Sequence, residues 1–184
     1  MGQRKKKIEE YLKKISNKNF NFFSLRYFNV FGADKNMKYG PIGLKMNSFS
    51  NNLFKSILFK KDFKIFGNNH NTSDGTPVRD FIHIDDLAGI HYKALVYLKE
   101  NKKNQICNCG YGKGYSIKKI LKTILKIKGL HFTYSFGKKR PGDISYMVAN
   151  VNKLKKIIDW KPKYSDIKKM IFSEIKWKRK LNKL

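Results

Sequence analysis

Strand-like and helix-like segments alternate along nearly the whole chain, and this alternation constrains the fold more than any other feature of the sequence. Gln3–Ile15 carries Ile8, Tyr11, Leu12 and Ile15 at helical spacing, with lysines between them. Residues 21–28 are rich in aromatics and read as a strand, and a loop punctuated by Gly32, Gly40, Pro41 and Gly43 is expected over 29–50. A short helix is expected over 51–59, a strand over Phe63–Phe66 and a polar loop over 67–77. Residues 78–84 read as a strand, after which Asp85 suits the N-cap of a helix reaching Lys99. Gln105–Cys109 is a short strand ending in the glycine loop 110–114; Ser116 can cap the next helix, whose Ile117, Ile120, Leu121, Ile124 and Leu125 form one stripe. A strand over 131–136 and amphipathic helices over 152–158 and 165–181 complete an α/β chain.

With 184 residues, the chain suits one compact unit, and its 41% hydrophobic content argues against wholesale disorder. The net charge of +28 comes from 36 lysines and only five arginines, scattered throughout. That scatter, with no zinc-finger spacing and no RNP-type aromatic motif, reads as lysine drift at surface positions rather than a specific nucleic-acid face. No apolar run approaches a membrane span, and the basic start is not followed by a signal-peptide core. Cys107 and Cys109, on one face of a strand, are too few for a disulfide scaffold and make a metal site improbable. A reducing cytoplasmic compartment is expected. Gly110-x-Gly112-x-Gly114 follows a strand, but its spacing is not that of a dinucleotide-binding turn, so it reads as a plain turn before Ser116.

Four segments carry more specific information. They are the run Leu25-Arg26-Tyr27-Phe28-Asn29-Val30-Phe31-Gly32-Ala33, the stretch Ser50-Asn51-Asn52-Leu53, the long run from Lys64 to Ala88 with Val78-Arg79-Asp80-Phe81-Ile82-His83 near its end, and Lys139-Arg140-Pro141-Gly142-Asp143. In this order they resemble the C-terminal half of the UDP-glucose 4-epimerase family, which are extended short-chain dehydrogenases/reductases. The resemblance spans essentially the whole chain. It implies an α/β substrate-binding part with the last elements of a Rossmann layer (1–28 and 105–128) and a UDP-sugar-binding part (29–104 and 129–184), without the N-terminal NAD-binding half. It also implies interconversion of UDP-glucose and UDP-galactose, NAD as cofactor, and either a homodimer or a complementing N-terminal half as partner; the alternatives are a related nucleotide-sugar epimerase or dehydratase, and a non-catalytic UDP-sugar-binding remnant or split-enzyme subunit.

The residues fit such a ligand on chemical grounds. A diphosphate calls for planar cationic forks, which Arg79 and Arg140 supply. Uracil calls for a flat apolar surface with backbone partners, which Lys64-Ile65-Phe66 can offer, and a ribose hydroxyl calls for an acceptor such as Asp143. Asn29 and Asn52 are neutral donors for phosphate oxygens. By resemblance the family's UDP-binding residues fall on these positions, with Leu53 beside Asn52 and Met147 near the sugar C2. Each residue also has a plainer reading. Asn29 could cap a loop, Asn51-Asn52 could start a helix, and Phe66 could be core. Arg79 could pair with Asp80 or Asp74, Arg140 could be a surface cation, and Asp143 could be a turn residue. His83 reads as a core histidine, and Asp85-Asp86 as a helix start.

The family's chemistry resides in a Tyr-x-x-x-Lys pair on one helix face. By resemblance its lysine falls on Lys5, which would bind the nicotinamide ribose and lower the tyrosine pKa, while Tyr27 would stand beside the nicotinamide. Met1 falls on the tyrosine, and Arg4 replaces a small residue. The 184 residues alone are therefore expected not to epimerise, and the Gln3–Ile15 helix and Gln105–Cys109 strand are expected to expose apolar faces.

Overall fold

A computed structural model describes residues 3–42, 48–127 and 129–181. Met1 lies outside them, as does the 43–47 stretch of the loop expected after the first strand. In chain order the elements begin α1 (Gln3–Ile15), β1 (Phe23–Tyr27), β2 (Asn29–Phe31), α2 (Phe49–Leu58), β3 (Phe63–Phe66), β4 (Val78–His83) and α3 (Ile84–Asn101). They continue with β5 (Gln105–Cys109), β6 (Gly114–Ser116), α4 (Ile117–Leu125), β7 (Tyr134–Gly137), β8 (Tyr146–Met147), α5 (Asn152–Ile157) and α6 (Ile167–Leu181).

The strands form three small sheets. β1 and β5 pair in parallel, with Leu25 opposite Cys107. β4 is the hub of the second sheet, joined in parallel by β2 and β8 and antiparallel by β6. β3 and β7 pair in parallel, Ile65 opposite Phe136. One core packs Phe31, Phe63, Ile65 and Phe81 against Leu121 of α4 and Ile171 of α6. A second packs Ile82 and Ile90 against Cys107, Cys109, Leu154 and Trp160.

Several expectations change. The 29–50 loop contains β2, because Asn29–Phe31 turns out of the first strand and pairs with Phe81–His83 of β4. The second helix starts at Phe49 rather than 51, because the Ser48 side chain caps it by accepting from the Asn51 N–H. Asp85 is not the cap of α3: β4 passes straight into the helix, so His83 Nδ1 takes the Asp85 N–H at 3.1 Å. His83 is indeed buried, and burial holds its imidazole below the ordinary value. Gly114 begins a strand rather than ending a turn. Ser116 caps α4 as expected.

α1 presents Ile8, Tyr11 and Ile15 to solvent, as the resemblance implied. Its buried carboxylate, Glu9, accepts from Ser24 Oγ at 3.0 Å and from Arg26 Nε at 2.7 Å, anchoring the helix to β1. β5 behaves differently from the expectation. Cys107 and Cys109 are covered by the second core, and burial, reinforced by the nearby Asp80 charge, pushes the Cys109 thiol up to about 12.

Candidate functional site

A cavity of about 190 Å³ opens where β2, α2, β3 and β4 converge. The chain builds each wall by a local rule. β2 and β4 are parallel neighbours, so Asn29 stands opposite Phe81, and its Nδ2 donates to the Asp80 carbonyl at 3.0 Å. Asn52 comes from the first turn of α2, so the helix-start reading and the cavity position hold together. Lys64, Ile65 and Phe66 come from β3, whose outer end leads into Gly67 at φ +90°. A side chain at Gly67 would bring its Cβ within 2.6 Å of His70 Nε2, so the tight turn needs glycine.

The cations are held in place. Arg140 is exposed at the surface but stacks over the Phe66 ring, its guanidinium carbon 3.7 Å from the centroid. Arg79 does not pair with Asp80 or Asp74. Its NH2 donates to Asp143 Oδ1 at 2.6 Å, and its NH1 donates to the Val78 and Ile144 carbonyls at 2.9 and 2.7 Å. The reason is strand geometry: β8 runs beside β4 and delivers the 143–145 segment to Arg79, whereas Asp80 points to the opposite face of the strand. Burial pulls the Arg79 pKa down and the Asp143 carboxylate offsets it. Those three bonds use three of five guanidinium N–H donors, leaving two for a ligand. Asp143 is also the turn residue it could have been, its N–H bonding the Arg140 carbonyl at 3.2 Å.

Asp80, fully buried, accepts from the Tyr111, Gly112 and Ala149 N–H groups, and burial raises its pKa despite them. It clamps the glycine loop and serves no ligand. Asp74 accepts from Ser116 and Thr76; burial works against its ionised form, but these bonds prevail and hold its pKa low. A wider hollow of about 640 Å³ lies beside α3, where two of its carboxylates shape loops: Asp34 takes the Lys38 and Tyr39 N–H groups, and Asp86 takes the Tyr111 hydroxyl.

Eight of the sequence-derived candidates thus line one cavity: Asn29, Asn52, Lys64, Ile65, Phe66, Arg79, Arg140 and Asp143. Four do not. Leu53 faces the apolar core, since it follows Asn52 by 100° around α2. Met147 sits opposite Arg79 on β8. Lys5 and Tyr27 are exposed on α1 and at the end of β1, Tyr27 with its ring centroid 6.2 Å from that of His91. Sequence reasoning missed Phe49, Phe63 and Phe81 as lining residues, although their adjacency to the Asn51-Asn52, Lys64 and Arg79 motifs was a usable signal. It also missed His70. Its Nε2 lies 3.1 Å from the Phe66 carbonyl and its Nδ1 3.3 Å from Ser145 Oγ, tying the end of β3 to the segment before β8. His70→Ala removes both ties and is expected to cost about 1–3 kcal/mol of unfolding free energy, measurable by urea titration.

The family model described as the NAD dependent epimerase/dehydratase family matches residues 2–110. The chain belongs to this family. A UDP-glucose 4-epimerase of Azospirillum brasilense is 33% identical over 158 residues, 85% of this chain and 45% of that protein. The chain is similar to a UDP-glucose 4-epimerase structure from Stenotrophomonas maltophila with bound NAD and formylated UDP-arabinopyranose (TM-score 0.86, 26% identity, 96% of this chain and 53% of that one). It is also similar to the Bifidobacterium longum enzyme in complex with NAD+ and UDP (TM-score 0.78, 30% identity, 94% and 52%). The chain spans about half the length of the curated relatives it matches. The epimerase/dehydratase family is NAD-dependent. Tyr27 ends a parallel strand, the edge at which α/β sheets take ligands, and Lys5 lies on the adjoining helix. Among the described residues no cluster of metal-ligating side chains occurs, and no helix is long and apolar enough to cross a membrane.

Proposed function

We propose that this chain is the UDP-sugar-binding half of a cytoplasmic UDP-glucose 4-epimerase, which interconverts UDP-glucose and UDP-galactose. The observation that carries the reading is the cavity itself, where a fixed Arg79–Asp143 pair and an Arg140–Phe66 stack stand together with two asparagines. Phe66 and the β3 backbone would take uracil. Arg79 and Arg140 would meet the diphosphate, with Asn29 and Asn52 on its oxygens. Asp143, one oxygen already on Arg79, would offer the other to ribose. Leu53, facing the core behind Asn52, would back that wall, and Met147, one strand beyond Arg79, would lie toward the sugar.

Lys5 and Tyr27 would hold the nicotinamide end of NAD, which supplies the hydride acceptor at sugar C4. The glycine-rich turn and tyrosine of the family have no counterpart among the described residues, which would hold only the nicotinamide end of NAD. The exposed stripe of α1 and the exposed Tyr27 support a docked partner on that side. The 184-residue chain with NAD and UDP-galactose is expected to form no UDP-glucose, and adding the N-terminal half of an epimerase relative is expected to produce turnover. Turnover by the chain alone, or none by the pair in which both halves are folded and bound, would overturn the proposal.

A further inference from the structure

Glu174 and Lys178 stand one turn apart on α6 and are only 4% and 1% exposed, yet the ligand chemistry above uses neither. A buried carboxylate and ammonium are expensive unless their bonds are well made. Glu174 Oε2 accepts the Gly32 N–H at 2.7 Å, and its Oε1 accepts the Ser50 hydroxyl. Lys178 Nζ donates to Asn51 Oδ1 at 2.9 Å and lies 5.8 Å from the Phe54 ring centroid. These partners come from the Gly32 turn and the start of α2. Gly32 follows β2, three residues after Asn29; Ser50 and Asn51 open α2, directly before Asn52. The Gly32 turn has no slack on its other side, because at φ +88° a Cβ there would meet His83 Cδ2 at 2.5 Å.

We infer that Glu174 and Lys178 are positioning residues that set the separation of Asn29 and Asn52 across the cavity, and with it the grip on a diphosphate. This rests on the UDP-sugar reading of the cavity. The uracil side is built differently, from β3 and its contacts with β7, Arg140 and His70. Loosening the α6 pair therefore weakens the hold on phosphate oxygens selectively, a split that general destabilisation would not produce.

The test measures binding of UDP and of uridine to the full 184-residue chain, by calorimetry and by ligand-observed NMR. Glu174→Ala is expected to weaken UDP about tenfold, equivalent to one orphaned hydrogen-bond partner, while uridine stays within about twofold. Glu174→Gln, which can still accept from Gly32 and donate to Ser50, is expected to restore UDP affinity to within about twofold of wild type. Should Glu174→Ala give no cooperative melt, Ser50→Ala decides: it cuts only the α2 tie and is expected to cost UDP about threefold with uridine unchanged. Equal losses for both ligands, no loss for UDP, or no rescue by glutamine would overturn the inference alone. A wild-type chain that binds neither ligand would overturn the reading of the cavity and this inference with it.

Discussion

Arg79→Gln is expected to lower UDP affinity at least about a hundredfold, because one substitution removes a diphosphate contact and frees Asp143 to repel the same diphosphate. In the wild-type chain the guanidinium neutralises Asp143 at 2.6 Å and is braced by two carbonyls. Both partners are largely buried, 15% and 22% exposed at their side chains, so solvent screens the loss only in part. The same change is expected to cost about 2–4 kcal/mol of stability, read by urea unfolding. Adding Asp143→Asn removes the stranded charge and is expected to recover part of the stability but little of the affinity. Recovery of affinity in the double variant would mean that Arg79 acts only by neutralising Asp143.

The second large effect concerns pH. Burial pushes the Glu174 carboxyl up to about 7, against the Gly32 N–H and Lys178, which both favour its ionised form. A carboxyl raised in the folded state contributes stability that is fully present below its unfolded value near 4.5 and is lost as pH rises through about 7. Between pH 5 and 8, wild type is expected to lose about 3 kcal/mol relative to Glu174→Gln. His83, buried and held low, has the opposite dependence, but it is common to both proteins and cancels in the difference. Lys178, whose pKa burial lowers, works in the same direction: without Glu174 it discharges more easily at high pH and favours the glutamine variant there. Parallel stability–pH curves for the two proteins would show that the Glu174 carboxyl ionises in the folded chain as it does in the unfolded one, with no upward shift.

The alternation of strands and helices was legible because each element has a strong local signature. Ser116 caps α4 through its own hydroxyl, and the α4 stripe of Ile120, Leu121 and Ile124 is wholly buried. What local pattern could not supply was pairing across long separations. β2 and β8 are three and two residues long and exist only because β4 offers them an edge. The Arg79–Asp143 pair spans 64 residues, so nearer aspartates seemed equally good partners until β8 fixed the register. His70 and Glu174 went unread for a similar reason. Each acts by bracing another segment, and no residue adjacent in sequence announces the contact. The cavity residues themselves were readable because they cluster in short motifs of chemically matched types, and the structure adds how Phe66, Arg140, Arg79 and Asp143 hold one another.

The most direct measurement is a backbone chemical-shift map of the chain titrated with UDP. The account predicts saturable shifts concentrated on Asn29, Asn52, Lys64–Phe66, Arg79 and Arg140–Asp143, which Phe66→Ala and Arg79→Gln each weaken. No saturable shifts, or shifts centred on the hollow beside α3, would contradict it.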